Sequence, residues 1–205
     1  MEAGRRGGAR MKENMIWVPG GLLVFTLYIM YDINSIFWKR KLMKSFFFLG
    51  NVLLVGMTVA QVLAAVPQIK PDMDFWIFII LSCIFLLVLI DTLFFELPFE
   101  ATYLKPDKKP HVYDGGMYAL CRHPGVLWFF LFYLCLGLAL YPAELLYMGL
   151  FYSILNLCYV IFQDYWTFPR FFADYNKYKK TAPFLIPSVN SIRRAFGTRR
   201  SKQSK

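Results

Sequence analysis

Charge is scarce in this 205-residue sequence, and histidine scarcer still. Asp, Glu, Lys and Arg together make up 18% of the residues, below the roughly 25% of soluble globular domains. Hydrophobic residues make up 58%, more than a soluble domain of this size usually carries. There are two His and four Cys. Cys83, Cys121, Cys135 and Cys158 have neither metal-ligand spacing nor the pattern of a disulfide framework, so no metal site is expected. They read as small buried thiols. No internal repeat is visible. Acidic residues are few beside basic ones, 13 against 23, giving a net charge of +10. A basic balance can serve nucleic acid or anionic lipid. Most of the positive charge sits beside apolar runs, which favours lipid headgroups over nucleic acid.

What the sequence has in plenty is long apolar runs. Five stand out, at residues 15–31, 45–66, 75–97, 126–141 and 145–162. A membrane span needs roughly 20 apolar residues, which the second and third supply. The fourth and fifth are shorter, and only Pro142, Ala143 and Glu144 join them, so they read as a tight helical hairpin. The first follows a basic head, as a signal peptide would. No small-residue cleavage site follows it, and Asp32 and the run Lys39, Arg40, Lys41, Lys44 come next, so it reads as a retained span. The expected fold is an all-α integral membrane protein with about five transmembrane helices. The expected parts are N-terminal spans over 1–97, a functional portion over 98–187, and a basic tail over 188–205.

Lys and Arg then orient the chain. With five spans, one side holds loop 32–44, loop 98–125 and the C-terminal segment, with 18 basic residues; the other side holds 5. The positive-inside rule places the first side in the cytosol. The basic head (Arg5, Arg6, Arg10, Lys12) lies on the opposite side and resists translocation; a start at Met11 or Met15 would remove much of it. In the tail, Val189, Ile192 and Phe196 form a narrow apolar stripe, as in a helix lying on anionic lipid.

Both cytosolic segments hold residues suited to chemistry. Loop 98–125 is too long for a simple connection and contains both histidines. Its end reads Gly116-Met117-Tyr118-Ala119-Leu120-Cys121-Arg122-His123-Pro124. An Arg-His pair at the mouth of a span can bind an anion, and His can move a proton. Arg122 also reads as a snorkelling topology charge. Pro124 suits the first turn of the fourth helix. At the end of the fifth run stand Gln163 and Asp164, with Tyr159 and Asn156 one and two turns earlier on Gln163's face. Such a polar stripe faces a cavity or a neighbouring helix. Asp91 and Glu96 near the end of the third run are a third candidate. Beyond Pro169, a polar-aromatic helix is expected near residues 170–180, followed by Pro183-Phe184-Leu185-Ile186-Pro187.

Taken together, Gly116-x-Tyr118-x-x-x-Arg122-His123-Pro124 resembles the signature of the isoprenylcysteine carboxyl methyltransferase and phosphatidylethanolamine N-methyltransferase family. That family closes its last membrane helix with Glu-Glu, where this chain has Gln163-Asp164. Then come Phe171-Phe172, Tyr175, Tyr178 and the Pro-rich segment in register. The resemblance covers residues 112–187. It implies S-adenosylmethionine as cofactor, methyl transfer, and a lipophilic acceptor entering from the bilayer, either a prenylated carboxylate or a phospholipid amine. It implies that Tyr113, Gly116, Tyr118, His123, Pro124, Gly125, Val126, Gln163 and Asp164 line the cofactor site, with Arg122, His123 and Asp164 in catalytic roles. The departures are Val126 for the family's Tyr, Trp128 for its Gly, and Gln163 for the first Glu. Gln keeps the hydrogen bonding and loses the charge; Asp164 keeps the charge on a shorter arm. Membrane sterol reductases, which use NADPH, have a similar Arg-His-Pro and Ile-Pro layout, but with Asn and Tyr where this chain has Gly125 and Val126. A non-catalytic protein keeping the fold is the third reading, and Gln163 and Val126 favour it.

Overall fold

The computed structural model describes residues 2–95, 110–140 and 143–195, with side chains of the first helix described from Trp17 on. All regular structure among these residues is helical. The long helices are α1 (Glu2–Ile33), α2 (Phe46–Ala65), α3 (Met73–Ile90), α5 (Pro124–Ala139) and α6 (Ala143–Phe162). Three short helices, α4 (Met117–Leu120), α7 (Phe168–Phe171) and α8 (Tyr175–Thr181), lie in the polar segments between and after them.

Four helical stretches are long and apolar enough to cross a membrane: Trp17–Trp38, Leu42–Gln68, Met73–Phe95 and Ala143–Phe171. Helix α5 is apolar but only 16 residues long. In the second and third stretches just 17% of the most apolar window is buried by protein. Leu63, Ile80 and Leu87 are among the large apolar side chains left outward. Helices apolar on every side with little protein cover are what a hydrocarbon surround requires.

Three of these stretches contain a wide turn of π-helix, at Asn34–Trp38, Asp91–Phe95 and Gln163–Thr167. Here the backbone N–H reaches back five residues, as Phe168 N–H does to Gln163 C=O. A π turn inserts one residue and so rotates the next segment relative to the helix before it.

The chain divides into two compact units. One comprises residues 1–82 and 133–159. Its interior is sealed by close helix approach and by tyrosines. A Cβ on Gly137 would lie 2.7 Å from the Cα of Leu146, so the hairpin of α5 and α6 closes over a glycine. Gly50 accepts the Tyr28 ring and Gly149 the Tyr133 ring in the same way. Small residues let apolar helices pack where no water drives them together. Polar side chains bridge the helices as well: Thr58 Oγ1 lies 2.6 Å from Tyr133 Oη, and Gln61 Nε2 donates to Tyr152 Oη at 3.0 Å. At its end, the buried Asn34 side chain both donates to and accepts from the Arg40 backbone, which pins the turn before α2.

The other unit comprises residues 83–132 and 160–205. Within it α3 packs on α5. Phe85 stacks on Trp128, with centroids 6.2 Å apart, and Leu89 and Leu93 cover Gly125. Phe85, Leu89 and Leu93 recur every four positions, one face of a helix.

The polar-aromatic helix expected near 170–180 is broken in two. Chain direction changes at residues 172–174, where Ala173 N–H donates to Pro110 O at 3.0 Å. The Asp174 carboxylate accepts from Val112 N–H at 2.9 Å and meets His111 Nδ1 at 3.1 Å. Pairing with the distant loop segment outweighs helix continuity here. Glu96, Phe196 and the rest of the basic tail lie outside the described residues.

Candidate functional site

Within the second unit, Asp164 is the meeting point of three chain segments. Its side chain is 1% exposed. The π turn that starts at Gln163 carries it, and with Thr167 it is buried on the inner side of that turn. From the loop, Arg122 makes a two-pronged contact: Nε donates to Oδ1 at 2.7 Å and Nη2 to Oδ2 at 3.2 Å. His123 Nε2 lies 3.3 Å from Oδ1. From α8, Tyr175 Oη donates to Oδ1 at 2.6 Å and Lys179 Nζ reaches Oδ2 at 2.8 Å. Lys179 Nζ also donates to the Asp164 backbone oxygen at 3.1 Å. A carboxylate offers about four acceptor positions, and five donor contacts fill them. Asp164 has no capacity left for a ligand in this arrangement.

Arg122 does a second task. Nη1 donates to the C=O groups of Ala182 at 2.7 Å and Lys179 at 3.3 Å, and its backbone N–H to Pro183 O at 2.9 Å. The Lys179 and Ala182 carbonyls belong to the end of α8, where a helix leaves its last C=O groups unpaired, and a cation there also suits the helix dipole. Arg122 therefore caps α8 and fastens it to Asp164 at once. Tyr178 adds a further tie, donating to Tyr118 O at 2.6 Å.

The His123 ring lies between Phe168, stacked at 5.8 Å, and Phe184, edge-on at 5.1 Å. Burial pushes its pKa below the ordinary imidazole range, against the pull of Asp164. A neutral ring facing a carboxylate donates from Nε2, which leaves the lone pair on Nδ1. The same surroundings raise the phenols of Tyr175 and Tyr178 through burial, so both remain neutral donors. Burial pushes the Cys121 thiol up to about 11, which keeps it from acting as a thiolate.

The remaining residues of the sequence motif line the loop ahead of this cluster. Gly116 has φ +55° and ψ −129°, a conformation that a side chain would strain. It directs the chain into α4. Tyr118 Oη donates to Thr92 O at 3.2 Å, tying the loop to the end of α3. The half-buried Tyr113 ring covers Gly115 and meets Tyr118 edge-on at 6.3 Å. Pro124 opens α5, and Val126 is buried on it. Gln163 is half-buried beside Asp164. Tyr159 is buried in the first unit, 5.5 Å from the Tyr28 ring. Asp91 is exposed.

Three further groups carry little or no signal in the sequence. Lys179 is one of several lysines in a basic segment, and only its place one turn after Tyr175 marks it. Thr92 Oγ1 and Trp128 Nε1 are buried with no hydrogen-bond partner among the described residues. Such orphan groups are costly, and nothing in local sequence announces them. A small cleft of about 100 Å3 is lined by Val112, Asp114, Asp174, Lys177, Tyr178 and Thr181.

Comparison with family models, with curated proteins and with solved structures gave no match. The functional reading rests on the chain's own residues.

Proposed function

We propose that this chain is a five-span membrane enzyme that transfers a methyl group from S-adenosylmethionine to a lipophilic acceptor, with the site on the cytosolic side. The observation that carries the proposal is the convergence on Asp164. Arg122, His123, Asp164, Tyr175 and Tyr178 stand in three separate stretches, and all are positions of the family-like pattern. The fold brings them into one buried cluster. The 18-to-5 distribution of Lys and Arg supports the sidedness.

The donor chemistry around the loop fits an adenosyl amino-acid ligand. Thr92 Oγ1, on the turn whose carbonyl Tyr118 holds, offers a hydrogen bond that no described protein group takes up. Tyr113 and Tyr118 offer aromatic faces beside Gly116, which brings backbone close. Gln163 and the chain around Gly125 and Val126 complete the set. Asp164 contributes by fixing Arg122 and His123 rather than by touching the ligand.

S-adenosylmethionine, when bound, supplies an electrophilic methyl group. The protein then has to align acceptor and donor and keep water out. Phe168, Phe184 and the buried tyrosines exclude water around His123. A carboxylate acceptor needs no base. An amine acceptor must first lose a proton, and Nδ1 of His123 is the group able to take it.

One specific feature favours a second reading. A carboxylate saturated by its own protein is also what a purely structural keystone looks like, and a non-catalytic protein that retains the fold would show it too. Calorimetric titration of the detergent-purified protein with S-adenosylmethionine and with NADPH separates the readings. Binding of the first alone supports the methyltransferase, binding of NADPH alone points to a reductase, and binding of neither leaves the structural role.

A further inference from the structure

The last 31 residues, 175–205, contain nine Lys and Arg and no Asp or Glu. Within them, residues 189–195 form a helix that is built to start where it does. Ser188 N–H donates to Ser191 Oγ at 2.9 Å and Ser191 N–H to Ser188 Oγ at 3.2 Å, a reciprocal cap. One face of this helix is anchored: Ser191 and Ala195, four apart, are buried. Arg194 fastens it further by donating to Thr181 O at the end of α8. The opposite face presents Val189, 68% exposed, and Ile192, 40% exposed, with Arg193 beside them. Ile186, in the chain leading in, is 80% exposed. Lys177 and Lys180 are exposed on α8. On the 189–195 helix, apolar Val189 and Ile192 and basic Arg193 thus share the outward face. It lies just beyond Ala143–Phe171, one of the membrane-length stretches, to which Tyr175 and Lys179 bind α8 through Asp164.

We infer that residues 186–195 bind the surface of an anionic phospholipid leaflet. Ile186, Val189 and Ile192 enter the acyl boundary, and Lys177, Lys180 and Arg193 meet the phosphate and serine headgroups. Charge complementarity selects the occupant: exposed Lys177, Lys180 and Arg193, in a sequence segment with no Asp or Glu, have no match in a neutral membrane. A soluble acidic protein would satisfy the cations but leave the three apolar side chains without an acyl layer to enter, at the end of a membrane-length helix. The inference is independent of the cofactor reading.

Hydrogen–deuterium exchange of the full chain in nanodiscs tests it. Amides of residues 186–195 are expected to exchange on the order of tenfold more slowly when phosphatidylserine is added to phosphatidylcholine. The paired substitution Val189→Asp with Ile192→Asp, both at exposed positions, is expected to abolish the slowing. So is the paired substitution Lys180→Gln with Arg193→Gln. Equal exchange in the two lipid compositions overturns the inference, and so does slowing that survives either pair.

Discussion

Arg122 and Lys179 bring two positive charges to one buried carboxylate, and removing it leaves both without a counter-charge. Breaking such a pair from one side costs about 3–5 kcal/mol. Asp164→Asn is therefore expected to lower stability by about 3 kcal/mol, read from unfolding of the detergent-solubilised protein. Tyr175→Phe removes one donor of five and is expected to cost about 1 kcal/mol. If the two variants unfold alike, Asp164 is not the keystone. His123 gives a pH dependence whose sign comes from its burial. Its folded pKa lies below the ordinary 6.5, so below that pH the unfolded chain binds more protons than the folded one. The stability is complete above about pH 6.5 and is lost as pH falls toward the folded pKa. His123→Gln is expected to flatten the fall between about pH 7 and 5. An unchanged slope would show that another group carries it. Arg122, His123 and Asp164 were legible in the sequence, because unusual residue types stand out against apolar runs. That protein donors fill the carboxylate was not, since Tyr175 and Lys179 reach it only through folding across the turn at 172–174.

Helices were the most legible part of the chain. Apolar runs at 45–66 and 145–162 became α2 and α6 with ends within two residues, because composition alone sets where a membrane-length helix begins and fails. The first helix extends upstream of its apolar run to Glu2, through Ala, Arg, Lys and Glu that favour helix and three glycines that oppose it. Illegible were the π turns, which depend on the partners of the next segment rather than on local propensity. At Gln163–Thr167 the inserted residue turns Asp164 and Thr167 inward, which simple helical counting from Tyr159 does not give. Two glycines carry element-scale predictions. Gly116→Ala forces a side chain into a positive-φ conformation and is expected to cost about 1–3 kcal/mol, measured by thermal unfolding, with exchange in residues 110–123 accelerated. Gly137→Ala puts a Cβ against the Leu146 backbone and is expected to destabilise the hairpin. Full stability in that variant would refute the close approach of α5 and α6.

For the molecule as a whole, length and composition of the helices make the membrane the consistent surround, and the proposed sidedness rests on the bias of Lys and Arg. A fluorescent-protein fusion at the C-terminus is expected to fluoresce in cells, as cytosolic fusions do, and an alkaline phosphatase fusion at the same point to be inactive. The reverse would invert the topology and put the Asp164 cluster on the wrong side for a cytosolic cofactor. The most direct test of the account is calorimetric titration of S-adenosylmethionine into the purified, folded protein, beside a variant with Arg122→Ala and His123→Ala. The account predicts saturable binding to the native chain, weaker by about tenfold or more in the variant, and none of NADPH to either. Absence of S-adenosylmethionine binding to the native protein, or equal affinity in the variant, would contradict it.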